Sequence, residues 1–216
     1  MRITAQKKEE TRRRILDCAR KLFSDRGFDP TTTRDIAEAA GIAAGTLFNY
    51  FPSKEALAMT IVELALDEGA VAFEDRTRGD ETLEEALFAH IAYGLRYLEP
   101  HRHYIGDVLD LALSPFAGEA ICPQARQFRV NHLETVRELI GSHSPPTTPA
   151  PTLITMHLYW TLYLGVLSFW ATDESPNRED TLVVLDQSTE LFAQFLSSEL
   201  KNGREVNDVT DVARDS

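Results

Sequence analysis

The chain has 216 residues, of which 43% are apolar and 26% charged, so it can bury a core and a wholly disordered chain is excluded. A net charge of −12 excludes a protein that is cationic along its whole length, yet the first 54 residues hold 11 Lys and Arg against 7 Asp and Glu. A basic N-terminal part on an acidic remainder indicates contact with a polyanion at one end only.

Neither a redox centre nor a metal site is predicted. Cys18 and Cys122 show no metal-ligand spacing and no disulfide framework, so we expect two reduced thiols. His101 and His103 have no cysteine or acidic partner at matching spacing. The basic N-terminal residues 1–14 are not followed by an apolar stretch, so no signal peptide is expected. We therefore expect a cytoplasmic protein without a cofactor.

Helical periodicity runs through the chain and predicts an all-α fold. In the N-terminal part, caps and breakers place helices at about residues 8–26, 33–40, 44–50 and 54–73. Gly27 is expected to end the first helix with a positive φ. Thr32 is expected to cap the second helix with Asp35 as its capping-box partner, and Ser53 the fourth.

The second part begins near Thr82, and five further helices are predicted at about residues 82–99, 103–113, 119 or 123 to 140, 152–172 and 179–200. Prolines in residues 142–151 predict a loop. The helix over residues 152–172 lacks charged side chains and is long enough to span a bilayer. Its flanks have no basic cluster, so we favour a buried helix over a membrane span. The polar tail 201–216 is expected to be disordered.

Two short helices joined by a glycine-containing turn are typical of a helix-turn-helix. The segment from Thr11 to Leu57, TRRRILDCARKLFSDRGFDPTTTRDIAEAAGIAAGTLFNYFPSKEAL, resembles the DNA-binding domain of the tetracycline-repressor (TetR) family. The resemblance implies an N-terminal three-helix DNA-binding head over residues 1–53. A helical-bundle domain for ligand binding and dimerisation follows over residues 54–200.

The third helix is expected to enter the major groove of double-stranded DNA. Phe48 suits a thymine methyl group, and Lys54 and Tyr50 suit phosphates, while the resemblance brings Arg34 to a groove edge. The predicted DNA-binding residues are Thr32, Thr33, Arg34, Ala43, Ala44, Gly45, Thr46, Phe48, Asn49, Tyr50 and Lys54.

Several alternatives stay open in this head. Phe48 has the spacing of a core residue, Lys54 can be a merely exposed charge, and residues 12–14, three arginines, can be a solvated face. Ala43 departs from the Ser or Thr that is usual in the family at the cap of the third helix. That departure costs about 1 kcal/mol of helix-end stability and removes a hydroxyl.

A single helix-turn-helix contacts few bases, so we predict a homodimer on a palindromic operator with half-sites about 34–36 Å apart, or multiples of that. The last two helices are expected to pair across a two-fold axis as a four-helix bundle, and the resemblance implies the same dimer; the alternative is that they form only monomer core. The predicted interface residues are Leu158, Leu162, Gly165, Phe169, Leu185, Thr189, Phe192 and Leu196.

Aromatic residues are frequent in the second part and predict a cavity for an apolar or aromatic small-molecule effector, although such stripes also occur as plain core. The predicted ligand-binding residues are Tyr93, Tyr97, Phe128, His132, Trp160 and Tyr163.

The sequence thus predicts a ligand-responsive transcriptional repressor. An activator of the same architecture has the same sequence features. Two further alternatives are an enzyme and a small-molecule-binding protein with a non-functional head. No nucleophile elbow, phosphate-binding loop or dinucleotide motif supports an enzyme.

Overall fold

The computed structural model describes residues 5–77, 79–113 and 123–212, without the side chains of residues 107, 110–113 and 200–212. This part of the chain is all-α, as predicted, and contains no strand. Its helices are α1 Ala5–Arg26, α2 Thr33–Ala39, α3 Ala44–Leu47, α4 Lys54–Glu74, α5 Leu83–Leu98, α6 Arg102–Leu113, α7 Pro123–Ser142, α8 Leu153–Thr172 and α9 Glu179–Val212.

The end of α9 is the one helix end of the described chain that lies more than three residues from its predicted position. Helix α3 ends at Leu47 instead of Tyr50, and α9 continues to Val212 instead of ending near Leu200. Residues 201–212 contain no proline, and their one glycine costs a helix only about 1 kcal/mol, so the sequence permits the helix to continue. Residues 213–216 of the predicted tail, and Cys122, lie outside the described residues.

The chain divides into two compact units, and the first comprises Met1–Val71 and Gly94–Arg129. Its core contains the inward faces of α1 and α2 together with Phe28, Leu47 and Phe51. Helix α5 approaches α4 closely at Gly94, where a Cβ atom would lie only 2.9 Å from Leu66 Cδ2. The absence of a side chain at Gly94 therefore permits this packing. The boundary predicted after residue 53 separates the DNA-binding head from the rest of the chain by function, whereas these units are defined by compactness. The functional boundary stays a prediction.

The second unit comprises Ala72–Tyr93 and Val130–Ser216. Helices α8 and α9 pack against each other in it and bury Trp170, Leu185 and Phe192 almost completely. Thr152 caps α8, since its hydroxyl accepts a hydrogen bond from the N–H of Thr155.

Helix α8 is the one helix of the described chain that is long and apolar enough to cross a membrane. In its most apolar window 44% of the residues are buried inside the protein. The core helix of a soluble protein has the same length and composition, so this helix is weak evidence for a membrane.

Candidate DNA-binding site

Helix α2 begins at a capping box, as the sequence predicts. The N–H of Asp35 donates to the Thr32 hydroxyl over 3.1 Å, and the N–H of Thr32 donates to the Asp35 carboxylate over 2.9 Å. Hydrogen bonds from Thr32 lower the pKa of Asp35. Gly27, which ends α1, has a φ of +89°, and Gly41, after α2, has a φ of +64°. These two turns fix the direction of α2 and of the chain that enters α3.

Helix α3 has four residues, and its last turn is tighter than an α-helix. The N–H of Asn49 donates to Thr46 O over 3.1 Å and that of Tyr50 to Leu47 O over 2.9 Å, which are 3₁₀-type bonds. Pro52 disfavours an α conformation at the preceding residue, so the helix closes early. The cap residue Ala43 makes no side-chain hydrogen bond, as expected from its departure from Ser or Thr.

Two faces of the α3 segment differ sharply in burial. Leu47 is fully buried and Phe51 nearly so, whereas Phe48 is 50% exposed. Phe48 therefore lies outside the core, which removes the alternative that the sequence left open. The other predicted contact residues from residue 32 to residue 50 are exposed or half-buried; these are Thr32, Thr33, Arg34, Ala43, Ala44, Gly45, Thr46, Asn49 and Tyr50.

Lys54 has a role that the sequence did not indicate. Its Nζ donates to the carbonyl oxygens of Phe28, at 2.8 Å, and Asp29, at 3.2 Å, and lies 4.1 Å from the centroid of the Phe28 ring. Two of the three ammonium protons are thus used to join α4 to the turn after α1. At most one N–H of the ammonium group is left for the phosphate contact predicted for Lys54. The two carbonyl partners lie 25 and 26 residues earlier in the chain, so only the tertiary fold brings them to Lys54.

Helix α1 carries three consecutive arginines, and the first of them contacts this segment. The Arg12 guanidinium lies 5.4 Å from the centroid of the Phe51 ring, and its nearest carboxylate oxygen, on Glu9, is 3.9 Å away. Arg13 and Arg14 are exposed. The positive charge of the first 54 residues is therefore displayed on the unit that presents α3.

The predicted dimer residues fall into two groups. On α8, Leu158 and Leu162 are half-buried, while Gly165 and Phe169 are exposed. The four predicted residues of α9 are buried within the chain and have almost no surface left for a partner; these are Leu185, Thr189, Phe192 and Leu196.

These four α9 side chains lie in the core of the single chain, and the dimer interface stays a prediction. Helix α9 exposes three other large apolar side chains. They are Leu182, at 41% exposure, and Val183 and Leu191, each at 62%. Apolar residues occur on more than one side of α9, so helical spacing alone does not select the side that a partner would cover.

Four of the six predicted ligand residues lie in an aromatic and histidine cluster of the second unit. His132 lies 4.2 Å from the ring of Tyr163 and 6.0 Å from that of Trp160, centroid to centroid. Tyr93 reaches the cluster through Phe73, at 6.4 Å. The other two belong to the first unit, where Phe128 is buried and Tyr97 lines a separate cavity.

Three members of this cluster were not among the predicted site residues: Phe73, His90 and Tyr159. His132 Nε2 and the Tyr159 hydroxyl are hydrogen-bonded at 3.0 Å, and the His90 and His132 rings lie 5.8 Å apart. The spacing of Tyr159 and Tyr163, four residues apart, is a sequence signal that could have found one of them.

The groups of this cluster are uncharged at neutral pH. Burial lowers the pKa of His132 to about 3 and that of His90 to about 4, and it raises the pKa of Tyr159 and Tyr163. A neighbouring apolar gap lined by Leu87, Ile91 and Phe192 has a volume of about 10 Å³, close to that of one water molecule. In this arrangement the cluster is a packed core with neutral polar groups.

No group of three or more His, Cys, Asp or Glu within the described ranges is placed to hold a metal ion. Cys18 is a half-buried free thiol on α1.

The capped α2, the glycine turn and the short exposed α3 define a helix-turn-helix, and its surface is that of a DNA-binding protein. Residues 15–60 match the family described as "Bacterial regulatory proteins, tetR family", and residues 87–214 match "Tetracyclin repressor-like, C-terminal domain". The second match alone covers more than half of the chain. The chain belongs to the tetR family of transcriptional regulators.

Curated relatives are matched over the smaller part of their length. The chain is 46% identical over 61 residues to the HTH-type transcriptional repressor KstR2 of Rhodococcus jostii, covering 28% of this chain and 30% of the relative. It is 34% identical over 95 residues to the HTH-type transcriptional regulator UidR of Escherichia coli, covering 42% and 48%. The chain thus spans less than half of the length of both relatives. Both relatives are transcriptional regulators.

Solved structures share the fold over most of the chain. A TetR transcriptional regulator from Rhodococcus sp. RHA1 has a TM-score of 0.67 at 21% identity, with 86% of this chain and 97% of that one covered. Thermus thermophilus FadR, a repressor in complex with lauroyl-CoA, has a TM-score of 0.66 at 21% identity, with 84% and 93% covered. At this identity the likeness shows the fold alone.

Proposed function

We propose that the protein is a cytoplasmic, ligand-responsive transcriptional repressor that binds a palindromic operator as a homodimer. The observation that supports it most directly is the two-faced α3 segment, with Leu47 and Phe51 buried and Phe48 exposed. The buried side chains of Leu47 and Phe51 hold the Phe48 ring at the surface, where its apolar area is exposed to water. Contact with another apolar group would remove that area from water. A thymine methyl in the major groove is such a group.

Phosphate contacts are assigned to groups around this segment. Thr32 and Thr33, at the start of α2, and the exposed arginines of α1 lie on a unit with a positive N-terminal part. Backbone N–H groups of a helix start and cationic side chains both favour phosphate. Arg34 and Thr46 are assigned to base edges, and Tyr50 to a phosphate.

Dimerisation is assigned to the exposed apolar faces of α8 and α9. Phe169 and Leu191 are large apolar side chains that the chain leaves at 40% and 62% exposure. Exposed apolar residues on two adjacent helices are typical of a protein interface. Two heads are then held at a fixed separation, which matches an operator with two half-sites.

The effector site is assigned to the cluster of the second unit around His132, Tyr159 and Tyr163. Its neutral histidines and tyrosines suit an apolar or aromatic compound with one or two hydrogen-bonding groups. Because the gap beside it is only about 10 Å³, an effector must displace packed side chains. A ligand that needs another arrangement of the core shifts the population toward it. Helix α4 extends from the head into the second unit, so it can transmit that change.

Selection of bound duplexes from a random library tests the DNA-binding part of this proposal. We expect enrichment of a palindrome, and an affinity that falls steeply with salt. Phe48→Ala should weaken the selected site, while Val71→Ala, at an exposed valine outside the head, should not. No enrichment of any sequence at low ionic strength would overturn the proposal.

Tryptophan fluorescence tests the effector site, since the two tryptophans, Trp160 and Trp170, both lie on α8. A panel of aromatic and fatty-acyl compounds, with lauroyl-CoA as one probe, should contain a compound that changes the emission of Trp160. The Trp160→Phe variant should lose that signal, and the Trp170→Phe variant should keep it. The same compound should release operator DNA; binding without release would contradict the coupling.

A further inference from the structure

The first unit contains a cavity that the DNA-binding and effector sites do not use. It has a volume of about 330 Å³ and opens to solvent. Its polar lining comes from three segments: Arg20 of α1, Glu68 of α4, and Arg96, Tyr97 and His101 from α5 and the 3₁₀ turn that follows it. Cavities that bind small molecules begin at about 300 Å³, so this one has the size for a compact ligand.

Arg20 supplies the first sign of a ligand. Its Nε is buried and, within the part of the chain that the structure describes, has no hydrogen-bond partner. Its Nη1 lies 3.6 Å from the nearest carboxylate oxygen of Asp17, beyond hydrogen-bond length. This Nε is closed to solvent, so a ligand in the cavity meets the rest of the side chain, which keeps 32% exposure, and the other guanidinium N–H groups are the donors for an oxyanion.

The charges around the cavity favour an anion. The lining brings two guanidinium groups from different helices, Arg20 and Arg96, against one carboxylate, Glu68; the Asp17 carboxylate near Arg20 does not belong to the lining. His101 adds no charge, since burial first and Arg20 second lower its pKa, and its Nδ1 is hydrogen-bonded to the Tyr104 hydroxyl at 2.7 Å. The planar guanidinium matches a carboxylate through two parallel hydrogen bonds.

The remaining walls are apolar. Ala65 of α4, Pro100 and the Tyr97 ring line the same cavity, so a ligand can bury a hydrocarbon part against them. We propose that this cavity binds a small organic carboxylate, with its charged end between Arg20 and Arg96 and its hydrocarbon part against Tyr97 and Pro100. This site is separate from the cluster assigned to the effector, and it would be a second ligand site of the regulator.

Its location joins it to the DNA-binding head. Arg20 lies one turn before Phe23 and Ser24 on α1. The Phe23 and Tyr104 rings are 5.4 Å apart, and His103 Nε2 lies 3.1 Å from Ser24 O. A carboxylate held between α1 and the end of α5 adds a further link between the same segments, so it stabilises this arrangement of the first unit.

Isothermal titration of the full chain with benzoate tests the proposal, with neutral benzamide and inorganic phosphate as comparison ligands. Benzoate should bind with a Kd at least roughly tenfold lower than that of either, since only benzoate has both the charge and the ring. Arg20→Gln and Arg96→Gln should each raise the benzoate Kd by roughly tenfold or more, the loss expected for a charge-assisted hydrogen bond.

Lys21→Gln is the matched control, because it removes one positive charge from the exposed position next to Arg20. It should leave the Kd unchanged. Arg96 is exposed on α5, so its replacement tests the site even if the Arg20 variant does not fold. Equal binding of benzoate and benzamide, tighter binding of phosphate, or unchanged benzoate binding in Arg96→Gln would each overturn the proposal.

Discussion

Among the single residues of the head, Lys54 combines a charge with a structural position. Lys54→Ala removes two hydrogen bonds to the carbonyl oxygens of Phe28 and Asp29 and the contact with the Phe28 ring. We expect the free energy of unfolding to fall by about 1–3 kcal/mol, since the side chain is half-buried and hydrogen bonds to charged groups are among the stronger ones. Urea denaturation measures the change.

The control for this variant is Lys21→Ala, at an exposed lysine of α1, which should leave the midpoint of unfolding unchanged. Unaltered stability of Lys54→Ala together with a large loss of DNA affinity would contradict the structural role. It would restore the phosphate contact that the sequence predicted.

Two neighbouring residues separate stability from recognition. Leu47→Ala empties a fully buried position and should cost about 2–5 kcal/mol of unfolding free energy. Phe48→Ala should change stability by less than about 0.5 kcal/mol, because the ring is half exposed, and should weaken DNA binding. Thermal unfolding and gel-shift titration of both variants measure the two effects; a destabilised Phe48→Ala would contradict the division.

Helix boundaries were the part of the fold that the sequence predicted best. The hydroxyl of Ser53 accepts from the N–H of Ala56 at 3.1 Å, and Thr82 and Glu85 exchange hydrogen bonds at the start of α5. Such caps depend on residues three positions apart, which a sequence displays directly. The inward residues of α2 and α3, such as Ile36, Ala37 and Leu47, were also predictable, because apolar spacing within one short helix is visible in the sequence.

Contacts between distant helices were not predictable. The inward face of α9 and the approach of His90 to His132 depend on how α5, α7, α8 and α9 pack. Each of these helices has apolar or aromatic residues on more than one face, so periodicity leaves two choices. The frequency of aromatic residues indicates a cavity but not which of them share it. It therefore groups Tyr97 and Phe128 with side chains that belong to another unit.

The exposed face of α9 gives a prediction at the scale of the element. Leu191→Glu should convert the proposed dimer into a monomer, because a charge in the proposed apolar interface is left without a partner. The side chain is 62% exposed in the single chain, so folding should be unaffected. Val130→Glu, at a valine of α7 with 56% exposure, is the control and should leave the dimer intact. Sedimentation equilibrium measures both; a dimeric Leu191→Glu would place the interface elsewhere.

The packing of α5, α7 and α8 around two histidines gives a pH prediction. The pKa of His90, about 4, and that of His132, about 3, lie below the ordinary value of 6.5, so the unfolded chain binds more protons than the folded one between about pH 6.5 and 4. The free energy of unfolding should therefore fall as the pH falls through this window, by up to about 1.4 kcal/mol per pH unit for each histidine.

Denaturation midpoints from pH 7 to about pH 4.5 check this linkage, within the window set by the two histidines. His90→Gln should make the decline shallower. His157→Gln, at an exposed histidine of α8, should leave it unchanged. A decline of the same slope in both variants would assign the pH dependence to other groups.

At the scale of the whole molecule, opposite charges are placed in different parts of the chain. Residues 1–54 have a net charge of +4, while the full chain has −12. DNA attracts the first part and repels the rest, so binding depends on where the positive part is presented and on how many copies are presented together. A dimer presents two such parts at once.

This arrangement leads to a prediction about salt. Each phosphate contact releases a counterion, so the slope of log affinity against log salt counts the contacts of all bound heads. Leu191→Glu, as a monomer, should bind the selected palindrome with about half the slope of the dimer and no more tightly than it binds a single half-site. Fluorescence anisotropy across a salt series measures both slopes, with Val130→Glu as the dimeric control. Equal slopes for the monomer and the dimer would mean that one head makes all of the contacts, and the palindromic operator would then have no structural basis.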